Sequence, residues 1–316
     1  MMKAPSITGL LHSVDSSMLQ TTVEKVTVQI SRQVKDSLAI EEPLEIQLTY
    51  GPSHSRQTRS ISVTMRTPGD DFDLAAGFLM TEGVIRDAND IEQMMYAGDS
   101  LSKSTPSPQV MDVLKLGSGQ NIVRVDLATE VEVNLGSLQR NFYTTSSCGI
   151  CGKASLLALR TVCPPRAASN FRMDAQVLYR LPERLRASQG VFDRTGGLHG
   201  AGLFDSAGTL LALREDVGRH NAVDKLIGSE FLADRTPLRD RLLLLSGRAS
   251  FELLQKALMG GLPMVAAVGA PSSLAVQVAK EFDITLVGFL RPDHFNIYHG
   301  SERIDGYTLT SNGSEK

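Results

Sequence analysis

Three short, nearly unbroken apolar runs, Leu242 to Leu245, Met264 to Val268 and Ile284 to Phe289, constrain this chain more than any other feature. A strand that is apolar on both faces must be covered on both, and strands that alternate with helices build a sheet that is at least partly parallel. Helical spacing fills the intervals, over Asn221 to Leu232, Phe251 to Met259 and Leu274 to Phe282. Upstream, Leu198 to Phe204 and Thr209 to Leu213 flank Asp205-Ser206-Ala207-Gly208, a hairpin signal. A helix is expected over Asp174 to Ser188, with Val177, Leu178, Leu181 and Leu185 inward and an interruption at Pro182. Residues 144–316 read as a three-layer α/β domain.

The first half has a different grammar. Residues 1–20 are polar and aperiodic, which predicts a mobile lead-in. Apolar residues then alternate in Val26, Val28 and Ile30, in Leu44, Ile46 and Leu48, and in Ile61, Val63 and Met65, the pattern of strands with one buried face. Thr67-Pro68-Gly69-Asp70-Asp71 supplies a turn and acidic caps for a helix that carries Phe72, Ala75, Ala76, Phe78 and Leu79 and stops near Gly83. A second helix is expected over Ile91 to Met95, an exposed excursion over Gly98 to Pro108, and strands over Ile122 to Leu127 and Val131 to Leu135. Residues 21–143 are expected to form a smaller α+β domain.

No apolar run approaches the ~20 residues a membrane span needs, and Met1-Met2-Lys3-Ala4-Pro5 is not followed by a signal-type apolar core. The expectation is a cytoplasmic protein with no membrane partner. A formal charge of −3 and a pI near 6.1 give no general attraction to nucleic acid. The chain has three cysteines, two of them close together, which argues against a secreted disulfide framework and for thiol chemistry or metal in a reducing compartment.

Those two thiols lie in Ser146-Ser147-Cys148-Gly149-Ile150-Cys151-Gly152-Lys153, which runs into the helical spacing of Leu156, Leu157, Leu159 and Val162. At the start of a helix, unpaired backbone N–H groups and the nearby Lys153 favour thiolate over thiol. Gly149 and Gly152 leave the sulfurs uncrowded. A pair of small core residues is the plainer alternative. Zinc would need a third ligand from Cys163, His199 or His220, with no second Cys-x-x-Cys and no His-x-x-x-His to supply a set. No histidine is followed two residues later by glutamate, which removes the proton carrier of a nucleobase deaminase. Gly152-Lys153-Ala154 is not a phosphate loop, because Ala154 stands where Ser or Thr is needed and Ser147 where the first glycine is needed. Gly117-Ser118-Gly119 likewise lacks the third glycine of a dinucleotide fingerprint.

Two polar constellations follow. Thr195-Gly196-Gly197-Leu198-His199 sets a histidine at a strand entrance, and Arg214-Glu215-Asp216-Val217-Gly218-Arg219-His220-Asn221 crowds charge into the loop opening a helix. The second reads equally as a cap with surface ion pairs or as a polar wall for an anionic or heteroaromatic ligand. Arg291-Pro292-Asp293-His294 follows a strand, beyond whose carboxyl end open α/β sheets bind ligands.

Glu42-Pro43-Leu44, Thr67-Pro68, Gly77-Phe78-Leu79-Met80-Thr81-Glu82-Gly83, the thiol loop, Thr195-Gly196-Gly197, the run from Arg214 to Lys225, Ser246-Gly247-Arg248 and Ala270-Pro271-Ser272-Ser273 together resemble the FdhD/NarQ family. Its members are formate dehydrogenase accessory proteins, sulfurtransferases that serve the molybdenum cofactor. The resemblance implies a cytidine-deaminase-like core without the deaminase zinc, hence no structural metal. It implies that Cys148 matches the persulfide cysteine and Cys151 its partner, as shuttle or as resolving thiol. It also implies that Phe289, Leu290, Arg291, Pro292, Asp293 and His294 match the segment for bis-molybdopterin guanine dinucleotide. The implied partners are a cysteine desulfurase and formate dehydrogenase, and the paired nucleotides of the cofactor suggest a homodimer. No inherited role falls on Cys163, and the parts of His199, Arg219 and His220 are left open. A dithiol–disulfide oxidoreductase and a cofactor-binding chaperone with structural thiols are the competing readings.

Overall fold

The computed structural model describes residues 17–97, 120–133, 159, 163 and 169–308. Cys148, Cys151, the Gly98 to Pro108 excursion and residues 1–16 of the expected lead-in lie outside the described residues. So do Asn134 and Leu135; Val131, Glu132 and Val133 join no strand.

The N-terminal half begins with an antiparallel ribbon, β1 (Met18–Val26) and β2 (Ser31–Ala39). The lead-in therefore ends earlier than expected: Met18 is buried, and the Ser17 hydroxyl donates to the Pro68 carbonyl at 3.1 Å. Val28 and Ile30 lie in the ribbon's turn, closed by Thr27 N–H donating to the Ile30 carbonyl, and not in a half-buried strand. Val26, Val28 and Ile30 are all exposed, so their alternation does not report a core.

β3 (Glu42–Tyr50), β4 (Gln57–Arg66), β5 (Ile91–Tyr96) and β6 (Ile122–Leu127) form a four-stranded sheet in the order β4-β3-β6-β5, parallel only between β3 and β6. The expected helix over Ile91 to Met95 is strand β5. Its register slips between Ile91 and Gln93, which erases the period-two pattern, and Glu, Gln and Met favour helix locally; pairing with β6 prevails. Helix α1 (Asp71–Thr81) packs Leu74, Ala75 and Leu79 into one core with Leu44, Ile46, Leu48, Val123 and Val125 of this sheet.

In the second half, β7 (Met173–Asp174) leads into α2 (Ala175–Leu178), α3 (Leu181–Ser188) and α4 (Gly190–Thr195). The single helix expected over Asp174 to Ser188 is thus two, with Pro182 in the first turn of α3, where its missing N–H has no partner to lose. A six-stranded sheet follows: β8 (His199–Phe204), β9 (Leu210–Asp216), β10 (Leu242–Leu245), β11 (Met264–Ala267), β12 (Thr285–Gly288) and β13 (Asn296–His299), in the order β9-β8-β10-β11-β12-β13. β10, β11 and β12 are parallel, while β8 and β13 run against their neighbours. β14 (Ile304–Asp305) returns to pair with β7.

The pleat sends successive leucines of β10 to different cores. Leu243 and Leu245 join the core of α5 (Arg219–Leu232), α6 (Phe251–Met259) and α7 (Ser273–Glu281), whereas Leu242 and Leu244 pack with Leu178, Leu181 and Leu185 of α2 and α3. Both faces of this mixed α/β sheet are covered, as the unbroken apolar runs require.

The two halves meet where α1 crosses α5. A Cβ on Gly77 would stand 1.9 Å from the Asp224 carbonyl oxygen, and one on Gly228 would stand 1.9 Å from that of Asp73. Only glycine permits backbones to touch in this way. Paired charges surround the contact. Lys256 reaches Asp224 at 2.9 Å and Glu82 at 3.4 Å, and donates to the Thr81 hydroxyl at 3.1 Å. Burial works against the Lys256 ammonium, but Asp224 and Glu82 outweigh it and hold it above the ordinary lysine value. Arg214 binds Asp73 at 2.8 Å, and buried Arg66 grips Asp71 with two nitrogens, at 2.9 and 3.0 Å.

Candidate ligand-binding edge of the six-stranded sheet

β9, β10, β11 and β12 all finish on one edge of the sheet, where antiparallel β8 and β13 begin. The loops on this edge are tied together. Gly269 N–H donates to the Gly247 carbonyl at 2.8 Å, Ser272 N–H to that of Ala249 at 2.9 Å, and Phe289 N–H to that of Gly269 at 3.1 Å. A Cβ on Gly269 would lie 2.9 Å from both Arg248 N and the Gly247 oxygen, so that loop closes only with glycine.

Phe289 to His294 form the turn after β12. Phe289 takes a left-handed conformation (φ 53°) that leaves its ring 39% exposed, while Leu290 turns fully into the core. Arg291 Nη1 donates to the Val268 carbonyl at 2.7 Å and to that of Leu290 at 2.9 Å, and its backbone N–H closes the turn on the His294 carbonyl at 2.9 Å. One guanidinium nitrogen thus anchors the side chain. Pro292, Asp293 and His294 are exposed at the tip, with His294 Nδ1 2.8 Å from Asp293 Oδ1. Beside the tip lies an open groove of about 810 Å³ lined by Asp293, His294, Phe295, Tyr298, Tyr179 and Tyr307, in which the Tyr179 and Phe295 rings lie 5.2 Å apart.

At the other end of the edge, the polar run from Arg214 to Asn221 divides by depth. Asp216 is fully buried, pairs with Lys225 at 2.7 Å, and accepts from the N–H groups of Thr67 and Gly218 and from Asn221 Nδ2, at 3.1, 2.8 and 3.0 Å. Lys225, also buried, donates to the Thr67 carbonyl at 2.8 Å. This pair fastens the β9–α5 loop to the turn after β4 and aims the residues that follow. Gly218 is the residue that caps α5.

Arg219 and His220 open that helix. His220 Nε2 lies 3.5 Å from Ser250 Oγ and 3.9 Å from Glu252, and His199, at the start of β8, borders Gly247. Burial, the Arg219 guanidinium and the Lys256 ammonium push His220 down to about 4. Burial and Arg219 also lower His199. Burial raises Glu252, yet its own backbone N–H, the Ser250 hydroxyl, His220 and Arg219 together hold its carboxyl below the usual range. Both imidazoles are therefore neutral at pH 7, beside a permanent cation.

Among the described residues, no group of three His, Cys, Asp or Glu side chains is placed to hold a metal ion. Cys163 is half-buried, its sulfur 3.6 Å from Met259 Sδ, and it packs against the core. The sequence pointed to His199, Arg219, His220 and the turn after β12, but not to Ser250, Glu252 or Lys225. Lys225 follows Asn221 by one helical turn, and a lysine there is ordinarily read as solvated.

A model of the FdhD/NarQ family matches residues 39–305. A protein of Streptomyces coelicolor named sulfur carrier protein FdhD is 50% identical over 272 residues, 85% of this chain and 89% of that protein. One of the same name from Saccharolobus solfataricus is 36% identical, across 88% of this chain and 96% of that protein. A crystal structure described as a putative formate dehydrogenase accessory protein from Desulfotalea psychrophila shares the fold with a TM-score of 0.63 at 23% identity, covering 91% of this chain and 99% of that one.

Proposed function

Because the chain belongs to the FdhD/NarQ family, we propose that it is a cytoplasmic sulfurtransferase required for formate dehydrogenase activity, one that carries sulfur as a persulfide on Cys148. The donor is a cysteine desulfurase. The Cys148 thiolate attacks the terminal sulfur of the donor persulfide, the old S–S bond breaks, and the donor cysteine leaves as thiolate. The acceptor is bis-molybdopterin guanine dinucleotide, bound as substrate before its insertion into formate dehydrogenase. Release of the sulfur as sulfide requires two electrons. Closing a Cys148–Cys151 disulfide supplies them; in the alternative, the Cys151 thiolate first takes the outer sulfur, Cys148 leaves as thiolate, and the same disulfide closes when the sulfide is delivered.

The observation that carries this reading is the turn from Phe289 to His294, which stands beyond the carboxyl end of β12 with an exposed ring and an anchored arginine. Ligands of open α/β sheets bind at such ends. The exposed Phe289 ring suits a nucleobase, and the Arg291 nitrogens not bonded to Val268 and Leu290 suit a phosphate. The six-stranded sheet is the cytidine-deaminase-like core of this reading, and a homodimer presents the two turns to the two nucleotides of the cofactor.

Mass spectrometry of the full chain after incubation with a desulfurase and cysteine tests it. The expected result is one added sulfur, absent from Cys148→Ala. Loss of two hydrogens with no added sulfur at any time would instead mark a dithiol–disulfide oxidoreductase, and an unchanged mass a cofactor chaperone. Arg291→Ala should weaken GDP binding in calorimetry and leave persulfide formation intact.

A further inference from the structure

The two ends of the ligand-binding edge are not equivalent. Across β8, β10 and β11, the loop after β9 stands four strand spacings from the turn after β12, about 19 Å at ~4.8 Å per strand. At the β9 end, the buried charges are matched within the protein: Asp216 by Lys225 at 2.7 Å, and Lys256 by Asp224 at 2.9 Å. What remains facing the edge is Arg219, the exposed Arg248, the carboxylate of Glu252, and two histidines that are neutral. Arg219 makes no ion pair among the described residues, and its Nε is shut off from solvent with no hydrogen-bond acceptor. A buried guanidinium donor left without a partner costs ~1–3 kcal/mol or more, which an acceptor brought to it would recover.

We propose that Arg219, with His199 and His220 beside it, forms a subsite for the phosphate groups of a ligand lying along this edge. The proposal rests on the reading of the edge as a nucleotide-bearing cofactor site and assigns it a second point of attachment, distinct from the turn after β12. Arg219 supplies the charge and the unmet donor. The neutral imidazoles supply N–H donors that need not be stripped of a counter-ion, and a bound anion raises the pH at which each takes up a proton. The Ser250 hydroxyl and Glu252 set the orientation of His220. Glu252 opposes a bound anion, and Arg248 offsets it.

The probe is inorganic pyrophosphate, added to the full chain while the histidine ring protons are followed by NMR across a pH titration. With pyrophosphate bound, the titrations of His199 and His220 should move up by about one unit, as an opposite charge within several ångströms demands. Arg219→Ala should lower pyrophosphate affinity about tenfold or more, the worth of a charge-assisted hydrogen bond, and abolish the histidine shift. Arg239→Ala, an exchange just before β10 on the opposite edge, should change neither. If the wild type binds pyrophosphate without moving these two histidines, or if Arg219→Ala binds as well as wild type with an unchanged melting temperature, the subsite is refuted. Arg219→Gln, which keeps the stem, repeats the test should the alanine variant unfold. The outcome is independent of GDP binding by Arg291→Ala, so failure of the nucleotide reading at the β12 turn is seen separately.

Discussion

Gly77→Ala gives the most direct test of how the halves are joined. In an exposed helix this exchange would stabilise the fold by about 0.8–1 kcal/mol, because alanine is the better helix former. Here the new methyl would lie 1.9 Å from the Asp224 carbonyl oxygen and 2.9 Å from Gly228 N, both backbone atoms that no rotamer change can move. Bringing the first contact to about 3.4 Å requires the helices to part by about 1.5 Å. That separation stretches the contacts that reach α1 from the second half, Lys256 to Thr81 and Arg214 to Asp73. Overpacking a core costs ~1–3 kcal/mol, and a clash between two backbones belongs at the upper end or above it. The net expectation is a loss of about 2 kcal/mol or more, seen as a melting temperature lower by roughly 4–8 °C at ~2–4 °C per kcal/mol. Gly190→Ala is the control, since a Cβ there meets nothing within 4 Å and stability should change little. Urea and thermal denaturation of both variants measure the difference. A Gly77→Ala protein as stable as wild type, or more stable, would refute the close crossing.

Lys256→Met should cost about 3–5 kcal/mol in urea titration, since it strands the Asp224 carboxylate without its partner in the core. Stability should fall as pH drops from about 6.5 towards 4, because the unfolded chain takes up protons that His220, held down to about 4, refuses when folded. His220→Gln should flatten that part of the pH–stability curve, and a curve identical to wild type would refute the assignment. Cys163→Ala should change stability by about 1 kcal/mol or less and leave sulfur loading of Cys148 intact, because its half-buried thiol packs beside Met259 and the exchange removes a single small atom; mass spectrometry of the loaded variant checks the second point.

The centre of the six-stranded sheet was legible because β10 and β11 have no polar face. Leu242 to Leu245 and Met264 to Ala267 can only be interior, and the residues beyond their ends can only be loops on an edge. The β5 strand was not legible, since the slip between Ile91 and Gln93 breaks the alternation on which the inference depends. The β1–β2 ribbon misled for a different reason: Val26, Val28 and Ile30 alternate without burial, so the pattern carries no information about a core. At the edge, sequence grouped Arg214 to Asn221 as one polar run. The structure separates Asp216, buried as a structural clasp with Lys225, from Arg219 and His220, which face the edge. Burial of a charge depends on its partner, and Thr67, which receives Lys225, is 158 residues away.

That separation along the chain has a consequence for how the protein is made. Asp73 of α1 and Arg214 of β9, which join beside the α1–α5 crossing, stand 141 residues apart. At about 5–20 residues per second, a ribosome takes roughly 7–28 s to deliver the second after the first. Once β6 has emerged, Leu74, Ala75 and Leu79 have the four-stranded sheet to rest on, but the glycine face of α1 still has no counterpart. The first half therefore completes its packing only when α5 emerges.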